Sequence, residues 1–331
     1  VAQGPFIDRN NRVINYLRIS VTDRCNLRCI YCMPGGGVST MPHDEILTYE
    51  ELLRIAGLAV RGGIRKVRLT GGEPLVRKDI TTFVRKLGTL EGLEQITLTT
   101  NGVLLADMAA DLRACGIRRV NVSLDSLRPD RYAEITRRDA FQQVMKGLRA
   151  AEEAGFDPIK INVVAMRGVN DDEILDFARL SLRKPYHVRF IEFMPVGKEN
   201  GWKRQAFIST GEIRERIEHA GSLRPLPHGL LDGPAERYIL EGAEGEIGFI
   251  GALSHHFCSQ CNRLRLTADG ALRGCLFSDT EIDVKTPLRQ GASDEHISAL
   301  IQRAIDTKPE GHGSILQSPR KCTRNMSSIG G

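Results

Sequence analysis

Between residues 16 and 194 short apolar runs alternate with longer amphipathic stretches. The runs cover 16–21, 66–69, 95–98, 118–124, 158–165 and 187–193, each four to eight residues rich in Val, Ile, Leu or Phe. Near-continuous apolar runs of this length are the pattern of parallel strands buried on both faces. Between them the spacing predicts helices. Thr48-Tyr49-Glu50-Glu51 has capping-box spacing, and the ELLRIAGLAV stretch that it opens stops at Gly62-Gly63. Residues 111–115 end at Gly116 and residues 141–154 at Gly155, where glycine supplies a left-handed cap. Six strand–helix units predict a right-handed parallel array, short of the eight of a full barrel. The fold class expected is therefore α/β, a partial (βα)6 TIM-like barrel, with an open doubly wound sheet as the alternative.

The strands lead into DRCNLRCIYC, TGGEP, TTNG, SLDS, MRGVN and EFMP. Ligands bind at the C-terminal ends of parallel strands, so these polar, Gly- and Cys-bearing loops predict one shared site. After Pro195 the character changes. Residues 195–205 read as loop, 210–220 as helix, 221–251 as a Pro- and Gly-rich stretch and 294–305 as helix, while KCTRNMSSIGG reads as a loose tail. This predicts a barrel over 1–195 and a C-terminal α+β segment over 196–331 that closes the barrel's open side. There is no repeat beyond the βα periodicity. Of 331 residues 41% are hydrophobic and 26% charged, which excludes wholesale disorder. No apolar run approaches the length of a transmembrane helix, and VAQGPFIDRNNR has no apolar signal region, so no secretory signal is expected; the start at Val leaves a trimmed leader open. A net charge of +5 is too small to point to nucleic acid.

The eight cysteines change the picture because six are clustered. Cys25, Cys29 and Cys32 place three thiolates in one loop directly after a strand. Zinc needs a fourth ligand, and none is near. A [4Fe–4S] cluster held by three cysteines keeps one iron open for chemistry, with a zinc knuckle or incidental thiols as the alternative. In Gly71-Gly72-Glu73-Pro74 the glycines would let backbone approach a ligand closely, and Glu73 could order the loop or accept from an ammonium. Cys258, Cys261 and Cys275 form a second triplet. His255 and His256 lie just upstream, so a Cys3His zinc site competes there with a second open cluster. Cys115 reads as core at a helix end, and Cys322 lies in the tail.

The first triplet, with its aromatic Tyr31 and the GGEP segment, resembles the signature of the radical S-adenosylmethionine (SAM) enzymes. YLRISVTDRCNLRCIYCMP, KVRLTGGEPLVRKDI, LTTNG, INVVAMRGVN, VRFIEFMP and FCSQCNRLRLTADGALRGCLF, with the final Gly-Gly, resemble the GTP 3′,8-cyclase family of molybdenum cofactor biosynthesis across nearly the whole chain. The resemblance implies two [4Fe–4S] clusters and SAM as cofactors. It implies cyclisation of GTP to (8S)-3′,8-cyclo-7,8-dihydroguanosine 5′-triphosphate, with hydrogen abstraction from the ribose 3′ carbon and its attack on guanine C8. Tyr31, Gly72, Ser123 and Met194 fall at SAM-contacting positions of the family. Arg18, Arg68, Thr99, Lys160, Arg263, Leu264 and Arg265 fall at GTP-contacting positions, Arg189 matches a further active-site cation, and Gly330 and Gly331 match a di-glycine that reaches into the site. A triphosphate independently asks for Arg and Lys on strand ends, which adds Lys66 to the candidates. The implied partners are a flavodoxin- or ferredoxin-like reductant and the downstream cyclic pyranopterin monophosphate synthase, in a bacterial cytoplasm, with no nucleic acid and no membrane; a homodimer is left open. A peptide-modifying radical SAM enzyme, an iron–sulfur electron carrier and a zinc-ribbon RNA-binding module are the alternatives. The first shares GGEP but has no use for NRLRL, the second needs neither GGEP nor basic strand ends, and the third asks for more aromatics than 5%.

Overall fold

Each predicted apolar run forms a strand: β1 (Tyr16–Ser20), β2 (Lys66–Thr70), β3 (Gln95–Thr100), β4 (Arg119–Ser123), β5 (Ile159–Ala165) and β6 (His187–Glu192). The computed structural model describes residues 4–197, 201–227, 229, 231–311 and 322–330. Five helices cross between strands in the first four connections: α1 (Tyr49–Arg61), α2 (Ile80–Leu87), α3 (Leu105–Ala114), then α4 (Pro129–Thr136) with α5 (Phe141–Glu153). The fifth connection uses α6 (Ile174–Arg183). Thr48 caps α1 through the expected box, its Oγ1 accepting from Glu51 N while Glu51 Oε2 accepts from Thr48 N. Gly63, Gly116 and Gly155 take positive φ after α1, α3 and α5. The expected helix at 111–115 is the end of a longer α3, whose Ala-rich first half carries little apolar periodicity.

Beyond β6 lie α7 (Thr210–Glu218), β7 (Leu223–Pro225), β8 (Glu236–Leu240), β9 (Glu246–Ile250), β10 (Arg263–Leu266), β11 (Ala271–Arg273) and β12 (Ile282–Asp283). The helices α8 (Lys285–Arg289), α9 (Asp294–Asp306) and α10 (Met326–Ile329) follow. All strands share one sheet in the order β12-β11-β10-β1-β2-β3-β4-β5-β6-β9-β8-β7. β1 to β6 run in sequence order, as winding in one sense around a partial barrel requires; a doubly wound sheet would reverse its order once. The C-terminal segment adds strands to both edges, β10 parallel to β1 and β9 parallel to β6, and the sheet is not closed. In β5 the alternation is plain: Ile159, Ile161, Val163 and Ala165 are buried in the core, leaving Lys160, Asn162 and Val164 on the opposite face. Among the described residues no helix is long and apolar enough to cross a membrane.

The tail reading needs correction. Its described part, 322–330, is packed rather than loose: Cys322 and Ile329 are fully buried, and Cys322 bridges Val196. Apolar side chains at Cys322, Met326 and Ile329 dock against Val196 and Met194, a contact no local periodicity announces.

Candidate active site

One large cavity opens on the C-terminal ends of the strands, and both cysteine triplets line it. The loop after β1 carries the first triplet and is pinned from two sides. Arg28 N and Ile30 N donate to Thr136 O and Ile135 O, and Gly72 N and Glu73 N donate to Thr22 O and Arg24 O. A Cβ on Gly72 would lie 2.3 Å from Arg24 O, and one on Gly71 2.5 Å from Thr22 O. The close approach these glycines allow is thus to the chain's own cysteine loop. Glu73 orders the loop: its carboxylate accepts from Leu75 N, Thr100 Oγ1 and Asn101 N at 2.6–3.0 Å, and burial pushes it up to about 7. Burial likewise raises the Cys25 thiol to about 11 and Cys32 to about 12, and holds Cys29 well above its ordinary value. Tyr31 donates to Asp125 at 2.7 Å, and Asp125, raised to about 6 by burial, also accepts from Val164 N. Asp125 was not singled out in the sequence, although SLDS ends a strand as the other site loops do.

The opposite part of the cavity is cationic. Strand register sets Arg263, Tyr16 and Lys66 side by side on one rung of β10, β1 and β2, and Arg265, Arg18 and Arg68 on the rung two residues on. Arg68 donates to Tyr16 OH and, at 3.1 Å, to Thr99 Oγ1. Arg189 donates to Asn162 Oδ1 at 2.6 Å, and its Nε is buried with no partner. Among the described residues none of Lys66, Arg68, Lys160, Arg189, Arg263 and Arg265 has a carboxylate within ion-pair distance. Burial, and then mutual repulsion, brings Arg18 to about 10, Arg189 to about 9, Lys66 to about 8 and Lys160 to about 6. Burial would raise the Tyr16 phenol, but Arg68, Arg18, Lys66 and Arg263 outweigh it and bring it to about 7. Tyr16 was missed in the sequence, though it stands two positions before Arg18 and hence on the same strand face.

The second triplet adjoins these cations. Burial opposes ionisation of Cys261, yet Arg263 and Lys308 bring it down to about 5. His255, largely exposed, faces Glu236 at 3.5 Å, and His256 Nδ1 lies 3.3 Å from Ala252 O.

Most candidate residues therefore meet in one cavity: the six cysteines, Arg18, Tyr31, Arg68, Gly72, Thr99, Ser123, Arg189, Met194, Arg263 and Arg265 line it. Lys160 lines a smaller recess that shares Arg189 and Gly233 with it. The Leu264 side chain lies in the core on the far face of β10, so only its backbone is available to a ligand. Gly330 O accepts from Arg265 at 2.9 Å, which brings the C-terminal segment to the cationic wall. Gly331 lies outside the described residues. Cys115 is core at the end of α3.

Residues 19–181 match the family model described as Radical SAM superfamily, and residues 186–314 match Molybdenum Cofactor Synthesis C. The GTP 3′,8-cyclase of Moorella thermoacetica is 51% identical over 98% of this chain and 99% of its own. That of Thermodesulfovibrio yellowstonii is 52% identical over the same shares. Among solved structures, Streptococcus suis SuiB bound to S-adenosylmethionine superposes with a TM-score of 0.62 at 14% identity, covering 97% of this chain and 79% of its own. At that identity the likeness shows the fold.

Proposed function

From the premise that this chain belongs to the GTP 3′,8-cyclase family, we propose how its cavity divides the work of the reaction. It is a radical SAM enzyme of the first step of molybdenum cofactor biosynthesis, with GTP as substrate. Cys25, Cys29 and Cys32 would hold the iron–sulfur cluster of the radical SAM superfamily: three thiols on one loop, all facing the cavity, leave one iron for a ligand. Tyr31, Gly72, Ser123 and Met194 surround the space beside them and would hold SAM. When bound, cluster and SAM supply the 5′-deoxyadenosyl radical that removes hydrogen from the ribose 3′ carbon of GTP.

The chain's own part is to place GTP for that event. The observation that carries this reading is the buried cation set on two rungs of β10, β1 and β2, continued by Lys160 and Arg189. Among the described residues Lys66, Arg68, Lys160, Arg189, Arg263 and Arg265 have no carboxylate within ion-pair distance; charges so placed are costly, and a triphosphate supplies an anion for them. Arg68 is aimed by Tyr16 and Thr99, Arg189 by Asn162, so the forks are set before substrate arrives. Arg265, holding Gly330 O, brings the C-terminal segment to the same place. We assign Cys258, Cys261 and Cys275 to a second [4Fe–4S] cluster, which in this family contacts guanine. His255 is largely exposed and faces Glu236, which weighs against it as the fourth ligand of a Cys3His zinc site. The division of labour falls at residue 195, with the first cluster before it and the second after. A low-potential flavodoxin- or ferredoxin-like protein would deliver electrons, and cyclic pyranopterin monophosphate synthase would take the product, in the bacterial cytoplasm.

Anaerobic reconstitution with iron and sulfide, followed by SAM, reductant and GTP deuterated at C3′, tests the assignment. About eight irons per chain, and deuterium transferred to 5′-deoxyadenosine with loss of GTP, are expected. SAM cleavage without GTP consumption would overturn the substrate assignment, and about four irons with zinc bound would overturn the second cluster.

A further inference from the structure

Lys308 follows the C-terminal turn of α9, its N–H donating to Ile305 O, and runs back beneath the second cysteine triplet. It is 5% exposed. The ammonium donates to Gly274 O at 2.7 Å, Arg263 O at 3.0 Å and Cys261 Sγ at 3.2 Å. Its three donors thus reach the residue before Cys275, the first residue of β10 and a cysteine of the triplet. The approach is fitted from the other side as well. A Cβ on Gly274 would lie 3.1 Å from both Lys308 Cα and Ala304 O and 3.2 Å from Lys308 Cβ, so the helix end and the Cys275 segment meet only where there is no side chain. Among the described residues no carboxylate lies within ion-pair distance of Lys308. A buried ammonium is costly unless an anion faces it, and the group in that place is the Cys261 sulfur.

We infer that Lys308 is a positioning residue for the second triplet: it fixes Cys261 as a cluster ligand and, by its charge, raises the reduction potential of the cluster held there. This rests on the second-cluster reading above. The physical basis is general. Hydrogen bonds to ligand sulfur and nearby positive charge stabilise the more negative, reduced form of a cluster, and outer partners of this kind orient the ligands. Gly274 and the Lys308 carbonyl contacts hold the ammonium so that its charge falls on Cys261.

The test isolates the second site. In a full-length chain carrying Cys25→Ala, Cys29→Ala and Cys32→Ala, anaerobic reconstitution is followed by iron analysis, electron paramagnetic resonance and redox titration. Lys308→Met keeps the stem and loses the charge, and Lys308→Arg keeps the charge. The parent is expected to hold about four irons. Lys308→Met is expected to make reduction at least about tenfold less favourable, 59 mV for one electron, with Lys308→Arg between the two. A parent that takes up no iron refutes the second-cluster reading itself. A parent and a Lys308→Met chain with equal iron and equal potential overturn the role of Lys308 alone. If Lys308→Met takes up no iron, Lys308→Gln, which keeps an N–H donor, decides: a cluster restored at a lowered potential supports the role, and one at the parent potential, or none, overturns it.

Discussion

Burial first, and then mutual repulsion, hold Arg18, Arg189, Lys66 and Lys160 below their ordinary protonation equilibria, Lys160 furthest among these four. Burial and the repulsion of Arg189, Arg68 and Lys66 bring it to about 6, so it is largely neutral at pH 7 in the free chain. A triphosphate beside it favours the charged form, and binding then takes up a proton. Tyr16, at about 7, moves in the same direction, because an incoming anion disfavours the phenolate. The sign follows: GTP affinity falls as pH rises from about 6 toward the bound-state pKa of these groups, by up to about tenfold per unit per proton, and is flat below. Calorimetry at pH 6, 7 and 8 in buffers of differing ionisation heat should show this uptake, and Lys160→Met should remove about one proton from it. An affinity independent of pH, with no buffer-dependent heat, would refute the electrostatic reading of the clamp. At this scale the sequence was partly legible. Arg18, Arg68, Arg263 and Arg265 betray themselves as charges in apolar strands, whereas Lys308 lies past a helix end with nothing local to mark it.

Among the elements, the GGEP turn is one of the two supports that pin the cysteine loop. Its backbone pairs with residues 22 and 24, and Glu73 ties it to the end of β3 through Thr100 and Asn101. A methyl group at residue 72 meets backbone oxygen rather than a movable side chain, so the two loops must part. Gly72→Ala is expected to cost about 1–3 kcal/mol in thermal or denaturant unfolding. It should also lower iron uptake at the first triplet while leaving the second unchanged. Unaltered uptake at both would show that the contact is dispensable. The six parallel strands were legible because one face of each packs into the core with Val, Ile, Leu or Phe, an alternation plainest in β5. The capping box of α1 and the glycine stops were legible because they are local chemistry. The β7–β9 strands were not: the shortest has three residues, and turn residues dominate the stretch. Their place in the sheet comes from pairing, β9 with β6, β8 with β9 and β7 with β8, not from local preference.

In the whole molecule, the two cysteine triplets, more than 220 residues apart in sequence, face one cavity because the C-terminal strands join both edges of the sheet. The last described segment then ties the two sides together. Gly197 N donates to Cys322 O, and Arg324 pairs with Asp269 through two 2.9 Å bonds and with Glu281 at 2.8 Å. Arg273, fully buried, holds Glu281 and donates to Cys322 Sγ at 3.1 Å. Beyond this clasp the Ser327 N–H meets the Cys32 sulfur and Gly330 O meets Arg265, so the segment touches the first triplet and the cation set together. The sequence suggests a frayed end because its polar residues hide three spaced apolar ones, and the clasp depends on Asp269 and Glu281 far upstream. If the clasp holds the segment in place, its loss should expose Cys322 before the barrel unfolds. Breaking a partly buried ion pair of this kind costs about 1–3 kcal/mol, which corresponds to a rise of about fivefold to 150-fold in the alkylation rate of Cys322 under native conditions. Arg324→Ala and, independently, Asp269→Asn should both show that rise, read by mass spectrometry of the cluster-loaded chain, together with loss of GTP turnover and an unchanged midpoint of global unfolding. Cys322 as protected in both variants as in the parent would mean that apolar packing against Val196 and Met194 alone holds the segment, and that the ion pairs do not control access to the site.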